Sequence, residues 1–159
     1  MVLIIYDSYF GNTEKVALNI KSNLVKMGIL TTAKRVGDVT VKDIEKAHLI
    51  VLGSPTRAFQ PTEPMKAFIK QHKILLASHR IAIFDTRVDI AKQKSKFLHF
   101  MVKHFGYAND YFIKRLKRTN THLVIPPVFF IVQGTEGPIA ESCKSKISDF
   151  AKAIRKIEL

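Results

Sequence analysis

Ile4-Ile5-Tyr6-Asp7-Ser8-Tyr9-Phe10-Gly11-Asn12-Thr13 carries the strongest signal in this 159-residue chain. The apolar run 2–6 reads as a buried strand. From Thr13 a helical pattern places Val16, Ile20, Leu24 and Met27 on one face, with Gly28 set to end it. A strand that turns through a short polar loop into a helix aims several backbone N–H groups at one point. The helix dipole adds roughly half a positive charge there. With side-chain donors from Ser8, Asn12 and Thr13, such a loop holds a phosphate without Lys or Arg. The pattern is neither the Walker loop nor the dinucleotide Gly-x-Gly-x-x-Gly.

Working outward, apolar runs alternate with helical patterns. Strands are expected at 30–36, 48–52, 80–84 and 122–133, the last interrupted by Pro126-Pro127. Thr40 with Asp43 reads as a capping box for a helix over 41–47, and Thr62 caps a second, with Pro64 in its first turn. Helices are further expected at 94–105, from Asn109 or Asp110 after a break at Gly106, and from Pro138 to the end. Phe97, Met101, Phe105 and Phe112 are expected in the core. The alternation predicts βαβ units, a parallel sheet covered on both faces, and a single domain over 1–159. In such sheets ligands bind beyond the carboxyl ends of the strands. The polar loops after strands one, three and four all fall there.

Composition limits the function classes. The apolar fraction of 47% is that of a folded globule, and the longest apolar run, 123–132, is too short to cross a bilayer. No basic leader precedes the first strand, and the single cysteine, Cys143, suits a reducing compartment; the expectation is a cytoplasmic protein, with a membrane-peripheral one as the alternative. Twenty-six Lys and Arg against thirteen Asp and Glu give a net charge of +13. That excess favours an anionic partner, or is a surface bias with no partner at all. The six histidines are scattered, so neither a metal site nor a catalytic triad is expected.

The segment 4–20, with Tyr6, Ser8, Gly11, Thr13, Ala17 and Ile20 in place, resembles the flavodoxin signature. Gly53-Ser54-Pro55-Thr56-Arg57 resembles the second flavin loop of that superfamily. Phe84-Asp85-Thr86-Arg87 and Gly134-Thr135-Glu136-Gly137-Pro138 resemble a subgroup of its single-domain members. The resemblance covers the whole chain. It implies a three-layer α/β/α sandwich, a five-stranded parallel sheet of order 2-1-3-4-5, and FMN as cofactor. It implies that Ser8, Phe10, Gly11, Asn12 and Thr13 contact the FMN phosphate, that Ser54, Pro55, Thr56, Arg57, Ala58 and Phe59 border the isoalloxazine, and that Asp85, Thr86 and Arg87 meet its other side. Phe10 stands where many flavodoxins carry Thr, so one hydroxyl donor is absent. Phe59 is the candidate for stacking on the flavin, or an anchor beneath its own loop. Arg57 either stabilises reduced flavin or closes the loop; Asp85 either accepts from flavin N3–H or pairs with Arg87.

The implied function is an FMN-binding redox protein, an electron carrier first. The alternatives are a small FMN-dependent oxidoreductase acting on a quinone or porphyrinogen, like the flavodoxin-like protoporphyrinogen oxidases, and, ranked below both, a basic binding or regulatory module. Implied partners are an acidic redox protein or reductase, or an anionic membrane surface, which the basic and aromatic segment 92–118 would meet. Nucleic acid is not favoured, because no recognition motif accompanies the charge.

Overall fold

The computed structural model describes residues 1–89, 94–119, 121–134 and 138–158. Strand β1 (Val2–Tyr6) is buried at every position. Its side chains alternate between two cores, with Val2, Ile4 and Tyr6 facing one and Leu3 and Ile5 the other. A strand buried on both faces has no polar side, hence its continuous apolar run. β1 pairs in parallel with β2 (Thr31–Arg35) and with β3 (Leu49–Pro55), and β3 pairs with β4 (Arg80–Val88). The order is the expected 2-1-3-4-5.

The fifth position departs from expectation. It is filled by two strands, β5 (His122–Leu123) and β6 (Val128–Val132), both parallel to β4. Leu123 pairs with Ile81 and Val128 with Phe84, so four residues span a gap that β4 crosses with two. Pro126 and Pro127 lie in that gap and have no N–H to offer a ladder.

One face of the sheet is covered by α1 (Asn12–Lys26) and α7 (Ser142–Glu158), through Val16, Ile20 and Leu24 and through Ile147, Phe150 and Ile154. The other is covered by α2 (Val41–Glu45), α3 (Glu63–Gln71), α4 (Lys73–Ala77) and α6 (Ala108–Lys117). The capping box of Thr40 and Asp43 is formed, and Thr62 Oγ1 accepts the Met65 N–H. At five residues α4 is too short to declare a period in sequence. Helix α5 (Lys96–Phe105) buries none of its residues. Phe97, Met101 and Phe105 are therefore not core; of the four residues expected there, only Phe112 is buried.

Pro138 does not open the last helix. Ile139 bridges to Val132, the Ala140 N–H donates to Ile131 O, and the helix begins at Ser142. β3 and β4 both run past their expected ends, into the segments read as loops. Their register explains the extension. Gly53 pairs with Phe84, Ser54 with Asp85 and Pro55 with Thr86.

Gly53 is fixed by that pairing. A Cβ there would lie 2.1 Å from Cζ of Phe84, whose ring meets Phe130 and Phe150 edge-on at 5.7 and 6.4 Å. Gly53→Ala is expected to cost about 1–3 kcal/mol through overpacking. At roughly 2–4 °C per kcal/mol for a chain of this size, calorimetry should show a clearly lower Tm; an unchanged Tm would mean that the ring moves freely.

Candidate functional site

The site is assembled from the carboxyl ends of β1, β3, β4 and β6. After β1 the chain passes through buried Asp7 and Ser8 to exposed Tyr9 and Phe10. Gly11 then takes a left-handed conformation, φ 84°, as the N-cap of α1. The first helical bond is Lys15 N–H to Gly11 O. The amides of Thr13 and Glu14 therefore have no intrahelical acceptor and lie at the positive end of the dipole. Two contacts hold this loop in place. Arg35, at the end of β2, donates Nε–H to Asp7 Oδ1 at 3.0 Å and a second N–H to Ser8 O at 2.6 Å. The Thr13 and Thr86 hydroxyls are hydrogen-bonded at 2.8 Å, tying α1 to β4.

The segment after β3 forms a tight hairpin. Arg57 and Gln60 exchange both backbone hydrogen bonds at 2.9 Å. Between them Ala58 and Phe59 have φ of 43° and 66°, the dihedral signature of a type I′ turn, which Asn and Gly ordinarily fill. A bulky residue there stores strain of order 1–3 kcal/mol. The hairpin lays the Arg57 guanidinium over the rings of Phe10 and Tyr9, at 5.0 and 5.5 Å. It also sets Phe59 against Phe105 of α5, with ring centroids 6.1 Å apart. Thr56 joins three segments: its N–H donates to Thr86 O and its Oγ1 accepts the Ala108 N–H.

These segments enclose an open cleft of about 450 Å³, counted out to its mouth in solvent. Of the residues singled out in sequence, Ser8, Phe10, Asn12, Thr13, Pro55, Thr56, Arg57, Thr86 and Arg87 line it. Gly11 shapes the backbone next to them. Ala58 and Phe59 instead line an adjoining hollow with Leu98 and Tyr107, which shares Thr56, Arg87 and Val88 with the cleft. Ser54 and Asp85 line neither. Ser54 is fully buried, its Oγ accepting the Thr62 N–H and donating to Pro55 O. Tyr9, Val88 and Val132 also line the cleft, as does Gly134 from the 134–138 stretch, none of them assigned a cofactor contact from sequence. Tyr9 stood inside the decisive stretch. The two valines are strand residues whose proximity only the register reveals. Lys92, Thr135, Glu136 and Gly137 lie outside the described residues.

Asp85 is completely buried and pairs side-on with Arg87, whose Nε–H and Nη2–H donate to its two carboxylate oxygens, while Oδ2 also accepts the Asn109 N–H. Burial pushes its carboxyl above the ordinary carboxylate value, against the opposing pull of Arg87 and the Asn109 amide. Arg87 in turn lies 3.5 Å from the Tyr107 ring centroid and 4.3 Å from that of Phe129.

The lining suits a phosphorylated planar ligand. It contains two arginines, the hydroxyls of Ser8, Thr13, Thr56 and Thr86, the Asn12 amide at a helix N-terminus, rings at the mouth and, among the described residues, no carboxylate. It is the cleft of a doubly wound, anion-binding α/β protein. Over residues 3–136 the sequence matches the family model for the flavodoxin domain. The chain belongs to that family, and membership supports FMN as its cofactor.

Solved structures share the fold. Flavodoxin 2 from Bacillus cereus superposes with a TM-score of 0.72 at 24% identity, over 98% of this chain and 97% of that one. A flavodoxin from the domain Archaea gives 0.67 at 16%, over 97% and 98%. The rubredoxin oxygen:oxidoreductase of Desulfovibrio gigas gives 0.74 at 16%, over 98% of this chain but 35% of that larger one. No curated protein sequence matches the chain significantly. Among the described residues no helix is long and apolar enough to cross a membrane.

Removing Arg87 should expose the dependence of the site on the buried pair. Arg87→Leu strands the Asp85 carboxylate, and breaking a buried pair in this way costs about 3–5 kcal/mol. Without Arg87 the folded-state pKa of Asp85 rises further above its unfolded value. A carboxyl with a raised pKa favours the fold while protonated and loses that contribution as pH rises through the folded value. The deficit of the variant, followed by urea denaturation, should therefore be largest at neutral pH and shrink as pH falls. A pH-independent deficit would assign the loss to packing alone.

Proposed function

We propose that the chain folds as a single domain over 1–159 and serves as an FMN-carrying electron carrier. The observation that carries this reading is the convergence of helix-terminal amides, hydroxyls and rings on one cleft that has no carboxylate among its described residues. Ser8, Phe10, Gly11, Asn12 and Thr13 receive the 5′-phosphate. Pro55, Thr56 and Arg57, with Ala58 and Phe59 at the adjoining hollow, border the ring from one side and Thr86 and Arg87 from the other. Ser54 and Asp85 act behind this layer, holding the carboxyl ends of β3 and β4. Bound FMN supplies the transfer of one or two electrons, and the protein sets its potential and access. Arg57 and Arg87 bring positive charge to the cleft, and partial exclusion of water strengthens their effect. Free-standing flavodoxins matched over nearly their whole length support the carrier role. Its match to part of an oxygen:oxidoreductase supports a redox partner that this chain meets as a separate molecule. The net charge favours an acidic partner protein or reductase.

Reconstitution tests the cofactor site. FMN should bind and give oxidised-flavin absorbance. Riboflavin, lacking the phosphate, should bind at least about a hundredfold more weakly, since two charge-assisted hydrogen bonds at roughly 1.5–3 kcal/mol each are lost. Thr13→Val should weaken FMN by roughly 3–10-fold through one lost hydrogen bond. Equal affinity for FMN and riboflavin would remove the phosphate from the α1 terminus. Arg57→Gln should make the potential of the fully reduced flavin more negative, by about 40 mV for a loss of roughly 1 kcal/mol in a one-electron step.

A second reading, an oxidoreductase acting on a quinone or porphyrinogen, draws on the adjoining hollow. That hollow is open to solvent, measures about 820 Å³ counted out to its mouth, and is lined by Phe59, Leu98, Val88 and Tyr107 among others. The two readings part on turnover. A carrier reduces an acceptor protein at a rate that falls with ionic strength. An oxidoreductase turns over quinone or porphyrinogen analogues unaided, at a rate that Phe59→Ala or Leu98→Ala lowers.

A further inference from the structure

We propose that α5 docks the protein on an anionic lipid bilayer. The helix is the least covered element of the fold. None of its ten residues is buried, and Phe97, Phe100 and Phe105 are 72%, 54% and 58% exposed. Three exposed rings within one short helix form an unusual apolar protrusion. The helix is nonetheless anchored: Ser95 Oγ accepts the Leu98 N–H, and Phe105 stacks on Phe59. Leu98 faces the hollow beside the cleft. Among the described residues the ring contact of this pair, Phe97 and Phe100, is that of Phe100 with His104, tilted at 37° with centroids 4.1 Å apart.

Charge identifies the occupant. Over residues 94–119 seven cations, Lys94, Lys96, Lys103, Lys114, Arg115, Lys117 and Arg118, stand against a single carboxylate, Asp110. Asp110 is already used, accepting the Tyr107 N–H at 2.6 Å to cap α6. Lys96 and Lys103 are seven residues apart and Phe100 lies between them, so all three share one face of the helix. Rings that enter the acyl boundary, flanked by lysines whose stems reach back to headgroups, are the pattern of an interfacial helix. A folded partner would need a groove for two protruding rings with carboxylates fixed opposite each lysine. A fluid anionic surface satisfies both demands without a matched shape, and the cations on α6 add long-range attraction. The inference does not rest on the carrier reading, because docking is read without reference to electron transfer. It places the rim of the cleft, through the Phe59–Phe105 contact, against the membrane.

The test is co-sedimentation of the full chain with vesicles of phosphatidylcholine alone and of phosphatidylcholine mixed with phosphatidylglycerol. Binding is expected to the anionic vesicles only. Phe97→Ser with Phe100→Ser should lower the partition coefficient at least about tenfold, by removing two inserted rings. Lys96→Gln with Lys103→Gln should lower it several-fold at low salt and by much less at high salt. Both pairs alter exposed side chains, and unchanged circular dichroism and FMN absorbance separate a docking defect from a folding or cofactor defect. Binding regardless of lipid charge, no vesicle binding, or equal binding by the ring variant overturns the proposal. Dimerisation abolished by the ring variant, without vesicle binding, would assign the face to a second copy. Capture of polyglutamate in place of vesicles would assign it to an acidic protein.

Discussion

The functional end of the molecule depends on one buried ion pair. Asp85 and Arg87 are two residues apart on the same strand, so their side chains leave β4 on the same face. Taking a carboxylate out of water is tolerable only when its acceptor capacity is filled. Here the filling comes from Arg87 and from the Asn109 amide in the first turn of α6. The pair thus joins the end of the central sheet to a helix that arrives 24 residues later in sequence. With its donors committed to Asp85, the Arg87 guanidinium can lie flat between Tyr107 and Phe129 while still lining the cleft. The wall of the cleft, the start of α6 and the start of β6 are therefore set by one electrostatic demand.

Around that pair the cleft is built mainly from backbone. The loop after β1 owes its shape to Gly11, to the α1 terminus and to the Arg35 contacts with Asp7 and Ser8. The replacement of a hydroxyl residue by Phe10 removes one donor but leaves those amides in place. In return, the Phe10 ring with that of Tyr9 receives the Arg57 guanidinium, which holds the strained Ala58–Phe59 turn over the loop. Positive charge thus enters the site from the hairpin and from β4. The loop after β1 itself contributes none.

Much of this was legible in the residues. The passage from an all-apolar strand through Ser8 and Gly11 into an amphipathic helix fixes β1, its loop and α1, because each signal is local. The segment read as a loop after β3 is strand over its first part, 53–55, and the segment read as a loop after β4, 85–87, is strand throughout. Gly53 and Ser54 are held in register by Phe84 and Asp85, and pairing across strands leaves no mark in either segment alone. For the same reason the burial of Ser54 could not be read: a hydroxyl at a strand end points in or out according to a pleat set elsewhere. The period of α5 declared an amphipathic helix, and the usual inference placed its rings in the core. Periodicity reports that a face is apolar and is silent on what covers it. Ile139 fits the spacing of α7 yet belongs to a bridge with Val132, since Pro138 allows a turn as readily as a helix start.

The broken fifth strand has a consequence for how the molecule behaves in a crowded solution. A parallel sheet that ends in a long, straight, apolar strand offers a template on which another chain can add. Here the outer border is divided into a two-residue and a five-residue piece by Pro126 and Pro127. The opposite border, β2, is only five residues long and ends in Lys34 and Arg35. Neither side presents an uninterrupted row of backbone donors and acceptors. The interruption that complicates the topology thus also guards a strongly apolar sheet against sheet-to-sheet aggregation.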